Sequence, residues 1–248
     1  MRALLVLLVV PSAFAALMPL PSTMVTPAQG ALKIDASFAV EASGYSDARL
    51  ERAMKRLVAR ISRQTGIDIR GGKTALKIEC RAGGPPYPAL GEDESYRMDV
   101  SVDGARITAA TVTGALRGMQ TFAEWIDFGA GGFEARAVQI DDRPRFPWRG
   151  LMLDVSRHWM PVDVILRNLD AMAAVKLNVF HWHLSDDQGF RVESRRFPKL
   201  QALGSDGHFY TQDEVRRVIE FARAAAFALS PSSISRATPL AGSWVIRS

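Results

Sequence analysis

The chain has 248 residues, of which 48% are hydrophobic and 23% are charged. This composition is typical of a globular protein with one large domain or two modest ones, and it excludes the disordered and fibrous classes. The net charge of +5 comes from Lys and Arg residues scattered along the chain, which argues against the concentrated basic face of a nucleic-acid-binding protein. Because Cys80 is the only cysteine, an intramolecular disulfide and a CxxC-type metal site are excluded.

The N-terminus has the layout of a secretory signal peptide over residues 1–15. A basic start is followed by an unbroken apolar run over 3–10 and by the small-x-small pattern Ala13–Ala15. The apolar run is too short to span a bilayer, which takes about 20 residues. We therefore expect cleavage after Ala15, export to the periplasm or the medium, and no membrane span in the mature chain. Residues 16–30, rich in Pro, Ser and Thr, are predicted to be a linker.

A small α+β domain is predicted over residues 31–142. Alternating apolar and polar residues predict a strand over 31–40. Ser46 or Asp47 then caps a helix whose apolar positions continue to Ile61. Further strands are predicted over 75–79, 96–102 and 107–110, and a second helix over 113–126. No residue pattern in this domain indicates chemistry, so we expect it to have a structural role.

The next segment, residues 143–224, alternates strands and helices. A buried strand is predicted over 150–155, a helix over 162–175, a second strand over 177–183 and a second helix after Thr211. This alternation is the opening of a parallel α/β array. Neither strand is followed by a GxGxxG or GxxxxGK[ST] pattern, so a nucleotide-binding fold has no support. Residues 225–248 contain no predicted strand and no recognisable motif.

Polar residues cluster where the two strands of this segment end, which is where (β/α)8 barrels build their active sites. These residues are Asp154, Arg157, His158, His181, His183, Asp186 and Asp187. His181 and His183 share one face of a strand, so with a nearby aspartate they could be ligands in a metal-dependent hydrolase. Hydrogen bonding inside the barrel mouth is the favoured interpretation, because the carboxylates have equally good uses without a metal.

Two long stretches resemble a known family. Phe146–His158 is similar to the first barrel strand of the family-20 β-N-acetylhexosaminidases, and Lys176–Arg191 is similar to the second. The segment over 31–140 resembles the small domain that precedes the barrel in that family, above all at Thr113–Phe122. The resemblance implies an α/β fold, in which a small α+β domain is followed by the first two βα units of a (β/α)8 TIM barrel.

The resemblance also implies an enzyme, a retaining glycoside hydrolase that uses the substrate's own acetamido group as its nucleophile. Its substrate would be a glycan that ends in N-acetylglucosamine or N-acetylgalactosamine, and it would need no cofactor and no metal. Arg157 matches the arginine that binds hydroxyls of the terminal sugar. Asp186 matches the aspartate that supports the general acid through a histidine. The remaining matched positions are interpreted as supporting residues: Arg149, Asp154, His158, His181, His183 and Asp187.

The sequence also departs from the family. The catalytic Asp-Glu pair belongs on a fourth barrel strand, and the histidine partner of Asp186 on a third, and neither motif is found in the 248 residues. We therefore expect an inactive fragment, with a non-catalytic carbohydrate-binding remnant as the alternative.

We predict that the tail over 225–248 arises from a frameshift. With permitted synonymous codons, reading from the third base of the Ala224 codon yields RGIRVIPEFDIPGHATSWLVGYP. This reading contains the missing third strand, which predicts one deleted base near codon 224.

Overall fold

The computed structural model describes residues 17–27, 29–85 and 87–233. The signal peptide predicted over residues 1–15 lies outside this part of the chain. Two structural units follow one another along the sequence. The first is a small domain of strands and helices, and the second is a shorter, mostly parallel sheet with its helices.

A six-stranded mixed sheet forms the small domain. Its strands lie in the order β1-β9-β5-β6-β4-β3, and the pairs β3–β4 and β4–β6 are parallel. The strands are β1 (Thr23–Val25), β3 (Phe38–Gly44), β4 (Lys73–Ala82), β5 (Tyr96–Ser101), β6 (Gly104–Thr111) and β9 (Val138–Asp142). Strand β1 lies within the segment that was predicted to be a linker, because its backbone pairs with β9.

A second, three-stranded sheet completes the small domain with β2 (Ala31–Lys33), β7 (Ile126–Gly129) and β8 (Gly132–Arg136). The prediction of one strand over 31–40 was therefore wrong. A turn separates β2 from β3, in which the Asp35 carboxylate accepts hydrogen bonds from the backbone N–H of Ser37 at 2.9 Å and from its hydroxyl at 2.6 Å. Such local side-chain bonds compete with a continuous strand.

Two helices pack on the six-stranded sheet. Helix α1 (Ala48–Thr65) begins at Asp47, whose carboxylate accepts from the backbone N–H of Leu50 at 2.9 Å, as the sequence predicted. Helix α2 (Val112–Glu124) lies closest to the sheet at Gly114 and Gly118, where a Cβ atom would overlap the Ser95 carbonyl oxygen and the Ile107 side chain. The small domain therefore has its own apolar core between sheet and helices.

The second unit is a mostly parallel sheet with helices on one face. Its elements are β10 (Gly150–Asp154), α3 (Val162–Ala174), β11 (Val179–Asp186), β12 (Gly189–Phe190), α4 (Lys199–Gly204), α5 (Gln212–Ala224) and β13 (Ala228–Ser233). Strands β10 and β13 flank β11, both in parallel. The strand β13 corrects the expectation that residues 225–248 begin without a strand. Helix α5 follows Thr211 as predicted, and Thr211 and Glu214 form a capping box at its start.

Helices α3 and α5 cover one face of this sheet. Phe180 and Trp182 point into that layer and pack with Leu169 and Val218, all of them buried. In contrast, β10 is an edge strand on which Leu151 and Met152 are exposed, although the sequence predicted a buried strand. The described helices include none that is long and apolar enough to cross a membrane.

A buried polar seam joins the two units. The Glu94 carboxylate accepts from Arg117 of the small domain at 2.7 Å and from Arg149, just before β10, at 2.5 Å. Asn178, just before β11, donates to the other oxygen of Glu94 at 3.1 Å. The Glu94 carboxylate thus holds the N-terminal ends of β10 and β11 against α2. This contact also fixes the positions of the C-terminal ends of the two strands.

Candidate active site

Arg157 lies in the loop that follows β10, at the carboxyl end of the sheet. Asp154, the last residue of β10, binds it twice, since its carboxylate accepts from the Arg157 backbone N–H at 3.0 Å and from Nη1 at 2.6 Å. The Nη2 group donates to Asp186 at the end of the neighbouring strand. The guanidinium is therefore fixed by two strands, while half of the side chain, 51%, stays exposed.

Asp186 is positioned by a tight turn. Strand β11 ends there and returns as β12, which pairs with it antiparallel. The Asp186 carboxylate accepts from the Asp187 backbone N–H at 2.9 Å and lies 3.1 Å from Nε2 of His183. Together with Arg157, these contacts make Asp186 the centre of a network that spans β10 and β11.

Both carboxylates of this network are held in the ionised form. Burial would raise the pKa of Asp154, but the hydrogen bonds from Arg157 outweigh it and bring the pKa below its ordinary value. The Asp187 N–H, followed by His183, lowers the pKa of Asp186. The hydrogen bond to Asp154 in turn raises the pKa of Arg157. The network is thus a fixed cation between two carboxylates at neutral pH.

His181 and His183 lie on the face of β11 that turns away from the helices, with ring centroids 6.3 Å apart. Burial and the neighbouring His183 lower the pKa of His181, which favours its neutral form. Within the described ranges, no group of three or more His, Cys, Asp and Glu side chains stands where it could hold a metal ion. The metal-hydrolase alternative therefore has no support from this part of the chain.

The other predicted residues divide into two groups. His158 and Asp187 lie exposed beside the network, at the same end of the sheet. Arg149 does not belong there, because it precedes β10. At a rise of about 3.3 Å per residue along the strand, it lies roughly 16 Å from Asp154. It donates instead to Glu94 and, at 2.9 Å, to the Lys176 carbonyl. Its assignment as a supporting residue of the site is therefore corrected to a residue of the polar seam.

Arg191 is a supporting residue that the sequence analysis did not identify. It is 6% exposed, and its guanidinium donates to the carbonyls of Ser156, Ser205 and His208. Ser156 precedes Arg157, so Arg191 ties the Arg157 loop to the segment after α4. The signal in the sequence was the position of this arginine, directly after Gly189 and Phe190 of a strand. A charged residue that is buried at such a position needs fixed hydrogen-bond partners.

An aromatic cluster lies beside this loop. The Trp159 ring stacks on His208 at 5.7 Å and lies 4.4 Å from the ring of Tyr210, which also contacts Trp182 at 4.6 Å. Tyr210 is fully buried and donates its hydroxyl to the Met160 carbonyl. The loop that carries Arg157 is therefore packed on both sides, which restricts where the guanidinium can move.

Sequence models of one family match both units. The family described as "Glycosyl hydrolase family 20, catalytic domain" matches residues 146–231, and "Glycosyl hydrolase family 20, domain 2" matches residues 15–143. The chain is 44% identical over 151 residues to the beta-hexosaminidase subunit beta of Mus musculus, which covers 60% of this chain and 27% of that protein. It is 46% identical over 141 residues to the subunit alpha of Bos taurus, covering 55% and 27%.

Solved structures agree with this match. The chitobiase of Flavobacterium johnsoniae superposes with a TM-score of 0.82 at 42% identity, over 87% of this chain and 34% of that one. The β-N-acetylhexosaminidase of Streptomyces coelicolor superposes with a TM-score of 0.74 at 26% identity, over 88% and 46%. The chain thus spans between about a quarter and a half of the length of these relatives.

Proposed function

The chain belongs to glycosyl hydrolase family 20, and from this premise we propose that Arg157 and Asp186 form the sugar-binding side of a β-N-acetylhexosaminidase active site. The observation that carries the proposal is the fixed, half-exposed guanidinium of Arg157 between two carboxylates at the carboxyl ends of β10 and β11. The names of the relatives, beta-hexosaminidase and chitobiase, indicate a substrate with a terminal N-acetylhexosamine.

The geometry suits recognition of a neutral diol. A guanidinium presents several N–H donors in one plane, so its exposed edge can donate to two neighbouring hydroxyl groups of a pyranose ring. Asp154 and Asp186 keep that edge in one orientation before the sugar arrives, which reduces the entropy that binding would cost. The carboxylates can in turn accept hydrogen bonds from the same hydroxyl groups.

The chemistry that follows from family membership is substrate-assisted. The carbonyl oxygen of the 2-acetamido group attacks the anomeric carbon, and a glutamic acid protonates the leaving oxygen. We place this acid, and the aspartate that orients the acetamido group, on a fourth barrel strand outside the 248 residues. Asp186 acts indirectly, through the histidine of a third strand that supports the acid. This chain therefore supplies binding and support rather than the acid itself.

The first test is an assay of this chain with an aryl N-acetyl-β-glucosaminide. We expect no turnover above that of the buffer, because no residue of the network can act as the glutamic acid described above. Turnover at ordinary enzyme rates would contradict this assignment. Retention of the chain on immobilised N-acetylglucosamine, without turnover, is the result expected both from sugar binding at Arg157 and from the carbohydrate-binding alternative.

The second test uses a longer chain that also carries the Asp-Glu pair. Arg157→Ala removes charged hydrogen bonds worth about 1.5–3 kcal/mol each, so kcat/KM falls roughly 10- to 150-fold for each bond lost. The matched control is Arg106→Ala, since Arg106 lies in the small domain and pairs with Glu79 at the surface. If Arg157→Ala keeps the kinetics of the control, Arg157 does not bind the sugar.

A further inference from the structure

A cleft of about 590 Å³ lies between the two units, away from the Arg157 network. It is bounded by α1 and α2 of the small domain and by α3 and α5 of the second unit. Arginines dominate its polar lining: Arg56, Arg60, Arg63, Arg117 and Arg167. The lining includes one carboxylate, that of Asp170.

Three of these arginines form a stripe on α1. Arg56, Arg60 and Arg63 are separated by four and three residues, so they lie on one face of the helix and point into the same space. Like charges at these spacings repel each other and destabilise a helix. Within the small domain, the carboxylate of Glu124 interacts electrostatically with Arg60, and the row as a whole keeps an excess of positive charge.

The hydrogen-bond partners of Arg56 and Arg60 are neutral groups. Arg56 is half-buried and donates to the Ala224 carbonyl at 2.8 Å, and Arg60 donates to the side-chain amide of Gln120. Burial lowers the pKa of Arg56, and Asp170 opposes that effect. Within the described ranges, Arg63 and Arg167 form no ion pair and no hydrogen bond through their side chains. In contrast, Arg117 is neutralised by Glu94.

We propose that this cleft binds an oxyanion of the phosphate or sulfate type, held by Arg60 and Arg63 of α1 and Arg167 of α3. Guanidinium groups bind such anions through paired, charge-assisted hydrogen bonds. An anion between α1 and α3 relieves the repulsion along α1 and links the two units. The volume falls within the range of small-molecule sites, roughly 300–1,000 Å³, so the cleft also accommodates an organic body that carries the anion. Leu57, Leu116 and Phe221 give that body an apolar wall.

The test compares the purified chain with the variant Arg60→Gln/Arg63→Gln. Inorganic phosphate is added at constant ionic strength, with chloride as the reference salt, and unfolding is followed by tryptophan fluorescence. At saturating phosphate we expect the unfolding midpoint of the wild-type chain to rise by roughly 2–4 °C, and the rise to be lost in the variant. Broadening of the phosphate ³¹P resonance provides a second measurement that does not depend on stability.

The control is Arg195→Gln/Arg196→Gln, which removes the same charge from exposed positions outside the cleft. It should respond to phosphate like the wild-type chain. An equal response in all three proteins, or none in the wild type, overturns the proposal. Glucose 6-phosphate distinguishes the source of the anion, with glucose as the control without phosphate. If the ester binds more tightly than inorganic phosphate, the ligand is an organic phosphate. If the two bind equally, the ligand is the free anion. Because hydrolysis is not measured, the result is independent of the proposed sugar-binding function.

Discussion

At the scale of single residues, the carboxyl end of the sheet shows how a short sequence motif becomes a positioned group. Asp154 and Arg157 are three positions apart, which lets the carboxylate accept from both the backbone and the side chain of the arginine. Asp186 arrives from the next strand and completes the arrangement. The structure thus gives Asp154 a specific part in the proposed site, that of a positioning residue for Arg157.

Replacing Asp154 tests its role in positioning Arg157. In a longer, active chain, Asp154→Ala should lower kcat/KM roughly tenfold, the equivalent of about 1.5 kcal/mol for one charged hydrogen bond. The loss should lie mainly in KM, because Arg157 binds the sugar in both the ground and the transition state. Asp154→Asn should recover part of it, since an amide oxygen still accepts from the Arg157 N–H. A variant with unchanged KM, or one that Asn does not rescue, contradicts the positioning role.

At the scale of elements, α2 illustrates how a helix can require glycine in its interior. Glycine costs about 1 kcal/mol relative to alanine within a helix. Gly114 and Gly118 nevertheless occupy the face that lies against β5 and β6, where a Cβ atom at Gly114 overlaps the Ser95 carbonyl oxygen. The close approach of helix and sheet therefore outweighs helix propensity, and both residues are buried.

The corresponding prediction concerns Gly114→Ala. Although alanine favours helix, overpacking against rigid backbone costs about 1–3 kcal/mol, and we expect net destabilisation in urea unfolding. Gly131→Ala is the matched control, since a Cβ atom there meets nothing within 4 Å. Its effect should stay within about 0.5 kcal/mol. If Gly114→Ala left the free energy of unfolding unchanged, helix α2 and the sheet could move apart without a cost in stability.

At the scale of the whole molecule, the polar seam decides how the two units are joined. Glu94 is 6% exposed and is shared by Arg117 and Arg149. Burial would raise the pKa of Glu94, but the two guanidinium groups outweigh it and bring the pKa below its ordinary value. A carboxylate with a lowered pKa stabilises the fold above its unfolded-state pKa of about 4.3 and loses that contribution as the pH falls further.

We therefore expect Glu94→Gln to destabilise the chain at pH 7 by about 3 kcal/mol, because the buried Arg117 and the partly buried Arg149 lose their counter-charge. The wild-type free energy of unfolding should fall as the pH drops below about 4.3, and this part of the pH dependence should be absent from the variant. Glu79→Gln is the control, since its ion pair with Arg106 is exposed and worth about 0–1 kcal/mol. Equal losses in the two variants would show that the seam does not hold the units together.

A further prediction at this scale concerns residues 225–248. Strand β13 pairs in parallel with β11, so a third strand of the array belongs at Ala228–Ser233. Strands buried between two neighbours are usually near-continuous apolar runs, whereas this one reads Ala-Leu-Ser-Pro-Ser-Ser. In the shifted frame the same six positions read Arg-Val-Ile-Pro-Glu-Phe. Resequencing should find one missing base near codon 224 and an Asp-Glu motif downstream, and codons that do not spell the shifted strand would refute the frameshift.

The sequence by itself determined the elements whose signals are local. The caps Asp47 and Thr211, the helical spacing that follows each of them and the two strands that carry the family resemblance were all predicted, because propensity and side-chain period act over a few residues. The residues of the proposed site lie at the ends of those strands, and their roles, which the family resemblance implies, stay predictions. The family was predicted correctly from Phe146–His158 and Lys176–Arg191.

Only the tertiary structure decided which of these residues meet. Arg149 and Arg157 lie eight positions apart and carry the same charge, yet the partly buried Arg149 pairs with Glu94 and Arg157 lies at the open end of the sheet. Likewise, β1 and β13 have weak strand signals of their own and form because neighbouring strands offer unpaired backbone groups. Partners distant in sequence are brought together by packing and hydrogen bonding over the whole fold, and no local pattern encodes them.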